Sequence, residues 1–265
     1  MKTRHRSHTV TAMSADSLSA TVPFELQSLS RAHAYQKWAT SAVQPYLGQR
    51  ILEMGAGIGN MSRHLPVRER LILTEYEASL LEILQRDLAT WHAPDLQKKI
   101  STDRFDLLQD DPARFASENL DTIVSFNMLE HIQDDGRAIA AQAQILRNSQ
   151  ALGPRRLILF VPAHPWAFGS VDQAFGHFRR YSAGMLRKLA RTHAPDARIE
   201  EMRYFNAVGL PGWWMMGRVL KKKEIGAGAV EAFEKICPWV APFDDFAHKV
   251  LRLPLGQSLL SVWRF

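Results

Sequence analysis

Residues 50–60 pair a short apolar run with closely spaced glycines, and few backbone conformations satisfy both. The glycines stand at alternate positions: Gly55, Gly57 and Gly59. Glycine adopts positive φ without steric strain, and it lets the backbone approach a ligand with no Cβ in between. The segment therefore predicts a buried strand that ends in a tight, ligand-facing turn. A helix is expected to open near Asn60 and to run through Leu65 and Pro66.

Apolar runs of strand length alternate with amphipathic segments along the chain. Strands are predicted near residues 50–54, 71–76, 98–108, 120–126, 156–161, 197–205 and 258–265. Helices are predicted near residues 24–47, 78–90, 134–146 and 182–192. Continuous apolar runs such as 156–161 suit parallel strands that are buried on both faces. The alternation therefore indicates an α/β protein with a doubly wound, parallel sheet.

The composition divides the chain into three parts. Residues 1–22 are polar, basic and rich in Ser and Thr, which predicts a disordered arm rather than a signal peptide. Residues 23–206 together with 256–265 are expected to form the main domain, and 207–255 a helical insertion or cap. No apolar run reaches the roughly 18–20 residues of a membrane span. A single cysteine, Cys237, fits a reducing cytosol, so we expect a cytoplasmic protein.

The chain is basic, with a formal net charge of +6 and a pI near 9.6. Positive charge gathers in the arm, at Arg179 and Arg180, and at Lys221–Lys223. Such charge either forms a solvated surface or attracts nucleic acid, anionic lipid or phosphorylated substrates. Nucleic acid is not the expected partner, although the sequence leaves that alternative open.

Polar residues follow several predicted strands, and in a doubly wound sheet these strand ends meet at the edge where ligands bind. They are Glu53–Gly59, Glu75, Asp106, Asn127–His131 and Pro162–His164. The glycines differ from the dinucleotide-binding fingerprint, because Asn60 stands where its third glycine belongs. Glu53 suits a cationic ligand, such as an amine or a sulfonium, better than a pyrophosphate. Glu75 is placed to accept hydrogen bonds from ribose hydroxyls.

Together these residues resemble the class I (Rossmann-like) S-adenosylmethionine (SAM)-dependent methyltransferases, in the branch that acts on small molecules. The resemblance covers roughly residues 30–206 and the final strand. Its motifs are Glu53–Gly59, Glu75, Asp106-Leu107 and Asn127–Ile132. It implies SAM as the methyl donor and S-adenosylhomocysteine (SAH) as the product. The expected fold is a mostly parallel seven-stranded sheet with an antiparallel last strand, an N-terminal helix and a helical insertion before that strand.

The resemblance also implies which residues hold the methionine part of SAM. The turn Gly55–Gly59, with Ala56 inside it, would lie under this part of the cofactor. Glu53 would help to place the amino group, and the backbone of Asn127 would reach the same amine. Leu129, in the block after the fourth strand, is counted with these cofactor-binding residues.

The nucleoside part of SAM would meet a second group of residues. Glu75 would bind the ribose hydroxyls, and Tyr76 would lie against the adenine. Asp106 would face the adenine amino group, with Leu107 beside it.

A long loop after the fifth strand, residues 162–181, is rich in His, Arg and aromatic residues. It resembles a bacterial methyltransferase subgroup with a Pro-Ala-His turn and a Gly-His-x-Arg-Arg-Tyr loop. Methyl transfer is an in-line displacement that needs alignment and loss of a proton. We therefore predict a general base at His164 or His177, each with a structural role as its alternative. Tyr181 is a third catalytic candidate or a core aromatic, and His131 is a catalytic residue or a helix cap.

Acceptor contacts are predicted at two places in the chain. The residues are Trp166, Arg179, Arg180 and Trp213. The two arginines would bind an anionic acceptor or, alternatively, brace the loop against acidic residues. The patch Trp213–Met216 is followed by Lys221–Lys223. It would form a lid over an apolar acceptor or rest on a membrane surface. Alternatively, its side chains would fill the interior of a small helical cap.

Several other classes of methyltransferase do not fit. Enzymes that methylate amino groups of DNA bases use a polar-Pro-Pro-aromatic motif, whereas this chain has Asn127-Met-Leu-Glu. Cytosine-C5 enzymes need a Pro-Cys nucleophile, and Cys237 precedes its proline. Metal-dependent catechol-type enzymes need acids after strands four and five, where Asn127 and His164 stand, so no metal is predicted.

The favoured hypothesis is a SAM-dependent methyltransferase that acts on an O or N of a small bacterial metabolite. One alternative is an enzyme for a lipid-linked or glycan acceptor at the membrane surface. Another is a protein that binds SAM or nucleic acid without methylating.

Overall fold

A computed structural model describes residues 22–265, so most of the predicted arm lies outside the described residues. Seven strands form one sheet. They are Arg50–Met54 (β1), Arg70–Glu75 (β2), Ile100–Arg104 (β3), Thr122–Phe126 (β4), Arg156–Pro162 (β5), Arg198–Phe205 (β6) and Ser258–Arg264 (β7). Their order is β3-β2-β1-β4-β5-β7-β6. Strands β1 to β5 are parallel, and β7 runs antiparallel between β5 and β6, which confirms the predicted fold.

Helices cover both faces of the sheet. They are Phe24–Ser30 (α1), His33–Val43 (α2), Ala78–Leu88 (α3), Pro94–Gln97 (α4), Asp135–Asn148 (α5), Ser170–Ala174 (α6), Ala183–His193 (α7), Gly209–Trp214 (α8) and Ala227–Lys249 (α9). A π-helical turn, Met215–Val219, continues α8. Side-chain caps open α5 and α7, because Asp134 accepts from the Arg137 amide and Ser182 from the Met185 amide.

The core lies in two layers, one on each side of the sheet. Strand β5 shows why, since Leu157 and Leu159 pack into one layer while Ile158 and Phe160 pack into the other. Successive side chains of a strand point to opposite faces, so a strand buried on both sides must be apolar throughout. All four residues are fully buried, as the continuous apolar run predicts.

The N-terminal helical region is two helices rather than one. The chain leaves the helical conformation at Ala32, whose φ and ψ are −95° and 56°. The amides at the start of α2 then find a partner in α9, since the Glu234 carboxylate accepts from Ala34 and Tyr35 at 2.8 and 3.0 Å. This cap comes from about 200 residues away in sequence, so periodicity within α1 and α2 could not reveal the break.

The predicted helix after the glycine turn is also absent from the described residues, and a single 3₁₀ turn, Ser62–His64, takes its place. Pro66 explains the difference. A residue before proline is restricted to extended conformations, and Leu65 has φ −73° and ψ 141°. Only a few residues separate this point from β2, so the chain crosses to the next strand without a full helix.

Residues 207–255, predicted as a helical insertion or cap, contain α8 and α9, and α9 packs against α2 and β6. We call this segment the helical cap. Asp244 of α9 anchors it, because its buried carboxylate accepts from the amides of Asn206 and Ala207 at 2.9 and 2.7 Å. None of the helices within residues 22–265 combines the length and the apolarity needed to cross a membrane.

Candidate active site

A cavity of about 620 Å³ lies at the carboxyl ends of β1, β2 and β4. It is lined by most of the residues predicted to hold the cofactor: Glu53, Gly55, Ala56, Gly57, Glu75, Tyr76, Asp106, Leu107 and Asn127. Of the predicted set, only Gly59 and Leu129 do not line it. Leu129 is fully buried beneath the cavity in the core. We call this space the cofactor cavity.

The glycine turn forms one wall of the cofactor cavity. Gly55, Gly57 and Gly59 all have positive φ, at 74°, 58° and 84°. The amides of Gly55 and Ala56 both donate to the carbonyl of Thr74 in β2, at 3.0 and 2.9 Å. These bonds hold the turn flat against the end of the neighbouring strand, which leaves its outer surface to the cavity.

Glu53 supplies a buried carboxyl group, one oxygen of which has no hydrogen-bond partner among the described residues. The residue is 1% exposed and lines the cofactor cavity, and its Oε2 atom is buried without a hydrogen bond within residues 22–265. Burial raises the pKa of Glu53 to about 8. A buried carboxyl with a free oxygen beside a cavity fits a cationic group of a ligand, and the amino group of SAM is of that kind.

Glu75 both braces the glycine turn and borders the cofactor cavity. One carboxylate oxygen accepts from the Gly57 amide at 2.7 Å, and the other accepts from Tyr76 and Glu77 at 2.8 and 3.0 Å. A carboxylate offers about four acceptor positions, so one remains for a ligand hydroxyl. The Tyr76 ring is half exposed, and the Arg104 guanidinium lies 5.5 Å from its centre.

Local turns position two further residues that are predicted to hold the cofactor, Asp106 and Asn127. The Asp106 carboxylate accepts from the Leu108 amide at 2.9 Å, which shapes the loop after β3. Asn127 has a φ of 46° and donates its amide to the Phe160 carbonyl at 2.8 Å. That left-handed residue turns the chain at the end of β4, where it lines the cofactor cavity and a neighbouring one.

Glu75→Ala is expected to weaken SAH binding by about 10- to 100-fold, because hydrogen bonds to a charged group contribute about 1.5–3 kcal/mol. Isothermal titration calorimetry measures the affinity. Glu77→Ala, which removes an adjacent exposed carboxylate, is the matched control and should bind SAH normally. Unchanged affinity in Glu75→Ala with a normal melting temperature would contradict the assignment of this cavity.

The second cavity, of about 320 Å³, lies beneath the helical cap. Its walls are mainly apolar and aromatic, from α1, α2, α8 and α9, and include Leu29, Tyr35, Trp213, Met216 and Phe233. It adjoins the cofactor cavity, since four residues line both spaces: Glu25, Leu29, Asn127 and Phe175. We call it the acceptor cavity, because it is in the position where a methyl acceptor would meet the cofactor.

A buried ionic network forms the polar wall of the acceptor cavity. The Asp172 carboxylate accepts from Arg180 Nε at 2.7 Å and from His177 Nδ1 at 3.0 Å. It also accepts from the Gly169 amide at 2.9 Å and from Trp213 Nε1 at 3.3 Å. Burial opposes ionisation of Asp172, but the His177 hydrogen bond and the Arg180 charge outweigh it and lower the pKa.

Glu25, His131 and His177 meet at the junction of the two cavities. Glu25 Oε2 lies 3.6 Å from His131 Nε2, and Glu25 Oε1 lies 3.7 Å from His177 Nε2. Burial disfavours a charge on His177, yet its hydrogen bond to Asp172 and the nearby Glu25 carboxylate raise the pKa to about 10. The His177 imidazolium is therefore the stable form at neutral pH in this arrangement. Burial lowers the pKa of His131.

Two members of this site carried no assigned role in the sequence analysis. Glu25 is far from the other members in sequence, and no local pattern marks it. Asp172 stands five residues before His177 in a loop rich in polar residues, and its complete burial is visible only in the fold. A third acid, Glu130, is fully buried with neither carboxylate oxygen hydrogen-bonded within the described residues, and burial raises its pKa to about 8.

His164 and Trp166 line neither cavity. The His164 ring stacks on Tyr204, with centres 4.7 Å apart, and its Nε2 accepts from the Gly256 amide at 3.4 Å. Its φ of 65° turns the ring toward β6 and β7 rather than toward the acceptor cavity. Trp166 is half exposed. The predicted base at His164 and the predicted acceptor contact at Trp166 therefore receive no geometric support.

Arg179 and Tyr181 also lie outside the two cavities. Arg179 donates to the carbonyls of Ile132 and Gln133 and pairs with Asp135 at 2.7 Å. The Tyr181 hydroxyl lies 3.1 Å from the same Asp135 carboxylate, and its ring is fully buried. This geometry matches the alternatives of a loop brace for Arg179 and a core aromatic for Tyr181. Arg180 and Trp213, in contrast, line the acceptor cavity. Arg180 also pairs with the buried Asp172, which matches the alternative of a brace against an acidic residue.

Structures of the same architecture include several methyltransferases. The methyltransferase domain of the bacterial protein CtHen1 is 15% identical and aligns over 87% of this chain and 98% of its own, with a TM-score of 0.52. A SAM-dependent methyltransferase from Mesorhizobium loti is 13% identical over 85% and 96%, with a TM-score of 0.50. A putative sarcosine dimethylglycine methyltransferase from Galdieria sulphuraria is 15% identical over 86% and 82%, with a TM-score of 0.52.

At these identities the likeness concerns the fold alone. A comparison with curated proteins gave no match. A family model described as a methyltransferase domain, however, matches residues 29–214, which is well over half of the chain. The matched segment contains the glycine turn, Glu75, Asn127 and the loop of residues 162–181. Residues of these segments line the cofactor cavity or the acceptor cavity. The chain therefore belongs to this methyltransferase family and is a SAM-dependent enzyme.

Proposed function

We propose that this enzyme methylates an oxygen or nitrogen atom of a small, largely apolar metabolite bound in the acceptor cavity. One observation supports this function above the others: the acceptor cavity adjoins the cofactor cavity and is lined mainly by apolar side chains. Its volume of about 320 Å³ suits a small molecule and falls in the range of ordinary ligand sites.

The cofactor supplies a methyl group on a sulfonium centre, and the chain must position the acceptor and receive its proton. Glu25, His131 and His177 are ionisable groups at the junction of the cavities, and Glu25 and His177 also line the acceptor cavity. Because the pKa of His177 is raised to about 10, its imidazolium donates a hydrogen bond at neutral pH. An imidazolium cannot accept a proton, so we assign that role to the neighbouring Glu25 carboxylate. In place of the predicted histidine base, we propose that Glu25 and His177 act as a pair, with Glu25 as the base and His177 as a hydrogen-bond donor.

Variants of His177 and His164 test this function. With an acceptor identified by screening extracts for a SAM-dependent methylated product, His177→Ala should lower kcat by about 100-fold or more. SAH affinity, measured by calorimetry, should stay within about threefold of the wild type. His164→Ala is the matched control, because His164 is buried at the same edge of the sheet but lines neither cavity. Full activity in both Glu25→Gln and His177→Ala would contradict the proposed pair.

A second candidate, action on a lipid-linked acceptor, gains support from the outer face of α9. Three large apolar side chains recur there at spacings of three and four residues: Trp239, Phe243 and Phe246. All three are exposed, Trp239 at 78% and Phe243 at 79%. Basic residues flank this stripe, at Lys221–Lys223, Lys235 and Lys249. Exposed aromatic residues beside lysines are typical of helices that lie on an anionic membrane surface.

Vesicle sedimentation distinguishes the two candidates. If α9 contacts lipid, the protein should pellet with phosphatidylserine-containing vesicles, and Trp239→Ser/Phe243→Ser should lose most of that binding. Leu152→Ser replaces an exposed apolar residue far from α9 and serves as the control. If the wild type stays in the supernatant at low salt, the lipid-linked acceptor is excluded and the small metabolite remains.

A further inference from the structure

We propose that Glu25, His131 and His177 form a binding site for a divalent transition-metal ion between the cofactor and acceptor cavities. No metal was predicted from the sequence, in which these three residues lie far apart. The fold brings Glu25 of α1 against His131, which follows β4, and His177, which follows α6.

The distances suit a shared ion. One side-chain atom of each residue lies within 4.8 Å of the other two. Ligand atoms about 2.0–2.2 Å from a metal lie roughly 3–3.5 Å apart. Glu25 Oε2 and His131 Nε2 are already 3.6 Å apart, and Glu25 Oε1 and His177 Nε2 are 3.7 Å apart. Both glutamate–histidine distances are therefore within a few tenths of an ångström of the separation expected in a metal site.

His177 is held in the manner of a metal ligand. Its Nδ1 atom is hydrogen-bonded to Asp172, which is itself fixed by Arg180 and Trp213. In protein metal sites a histidine usually makes such a bond from the nitrogen that does not bind the metal, and the bond orients the ring and selects its tautomer. The opposite nitrogen, Nε2, then points at the cluster.

That nitrogen also lacks another partner. His177 Nε2 is buried, has no hydrogen bond within the described residues, and belongs to a residue that is 8% exposed. A buried polar atom usually has a hydrogen-bonding or metal partner. Glu25 on the facing helix lies beyond hydrogen-bonding distance, so an ion between the two would satisfy both.

Two imidazoles and one carboxylate indicate the class of metal. This donor set suits Zn²⁺, Co²⁺, Mn²⁺ or Fe²⁺ better than Mg²⁺, which prefers oxygen ligands and keeps several waters. Three protein ligands also leave coordination positions open, on the side where Glu25 and His177 line the acceptor cavity. A metal ion there would act as a Lewis acid toward an acceptor hydroxyl. Metal binding replaces the proton on His177 Nε2 and engages the Glu25 carboxylate, so the Glu25–His177 acid–base pair applies to the metal-free enzyme. The Lewis-acid effect rests on the proposed methyl transfer.

Cobalt binding to the full-length chain tests the site. His5 and His8 are replaced by alanine in every sample, because they lie outside the described residues and are potential ligands. After treatment with a chelator, equilibrium dialysis and the visible spectrum of Co²⁺ should show one bound ion per chain. His131→Ala and His177→Ala should each weaken this binding by about 100-fold or more. His33→Ala removes an exposed histidine of α2 and should bind Co²⁺ normally.

His131 is the more informative position, because its side chain is 35% exposed and its loss should leave the fold intact. Circular dichroism checks this for each variant. The metal site is refuted if the chelator-treated chain takes up no Co²⁺, or if the double variant His131→Ala/His177→Ala binds it as the parent does. SAH calorimetry on the metal-free protein is a separate readout. If SAH binds normally and Co²⁺ does not, the metal site fails while the proposed methyl transfer stands.

Discussion

Asp172→Ala is expected to lower the free energy of unfolding by about 3–5 kcal/mol, which is the usual effect of removing one partner from a buried ionic network. The substitution leaves the Arg180 guanidinium without its carboxylate, although both side chains are almost wholly buried. It also removes the hydrogen bond to His177 Nδ1 and those to the Gly169 amide and the Trp213 indole. Urea unfolding followed by fluorescence measures the change.

An exposed ion pair is the appropriate control. Asp196 pairs with Arg147 on the surface, where the Asp196 side chain is 50% exposed. Because exposed pairs usually contribute less than about 1 kcal/mol, Asp196→Ala should be nearly neutral. Equal effects of the two substitutions would show that the Asp172 network adds no more to stability than a surface contact.

The same network should make stability depend on pH. Folding raises the pKa of His177 from 6.5 to about 10, so the folded state binds more protons between these values. The stabilisation is therefore complete below pH 6.5 and is lost as the pH rises through about 10. In Asp172→Ala the cause of the raised pKa is largely removed, and the loss of stability between pH 7 and 10 should be smaller than in the wild type.

Gly59→Ala should destabilise the fold by about 2–4 kcal/mol and weaken SAH binding by tenfold or more. The residue has a φ of 84°, where an L-amino acid is strained, and a Cβ there would lie 1.9 Å from the Trp91 ring and 2.8 Å from Leu84. A rigid ring cannot move aside as a flexible side chain would. Gly59 also closes the glycine turn, because its amide donates to the Ala56 carbonyl at 2.9 Å.

Gly153→Ala separates the cost of backbone strain from the cost of the steric clash. Gly153 has a φ of 111°, but a Cβ added there would meet nothing within 4 Å, so this variant carries backbone strain without the clash. Thermal unfolding and SAH calorimetry are compared for both variants. If Gly59→Ala is as stable as Gly153→Ala, the Trp91 ring moves aside at little cost and the clash is not destabilising. Normal SAH binding would show that the turn tolerates a side chain at its end.

The cofactor side was predictable because its residues belong to short segments at strand ends. Once the chain alternates strands with helices, the carboxyl end of each strand is fixed at one edge of the sheet. Glu53, Glu75, Asp106 and Asn127 could therefore be placed together from sequence alone, and all four line one cavity. The prediction of a helix after the glycine turn was wrong, because Pro66 restricts the residue before it to extended conformations and the helical pattern there is weak.

The acceptor side depends on contacts between distant segments. Glu25 reaches His131 and His177 only because α1 crosses the ends of the strands, and neither periodicity nor a motif encodes that crossing. His164 looks like a base in the sequence because it follows a strand end. Its positive φ instead directs the ring onto Tyr204. A sequence pattern predicts which residues are close to the site, but not which way their side chains point.

Helix α1 has a consequence for the order in which ligands enter and leave. It is seven residues long, and none of them is buried among the residues the structure describes. Yet its Glu25 and Leu29 line both cavities, and the Leu26 carbonyl accepts from the Asn60 side chain beside the glycine turn. Short segments without fully buried side chains open locally at low free energy. Opening of α1 would therefore expose both cavities at once, and hydrogen exchange in its amides should slow when either ligand binds.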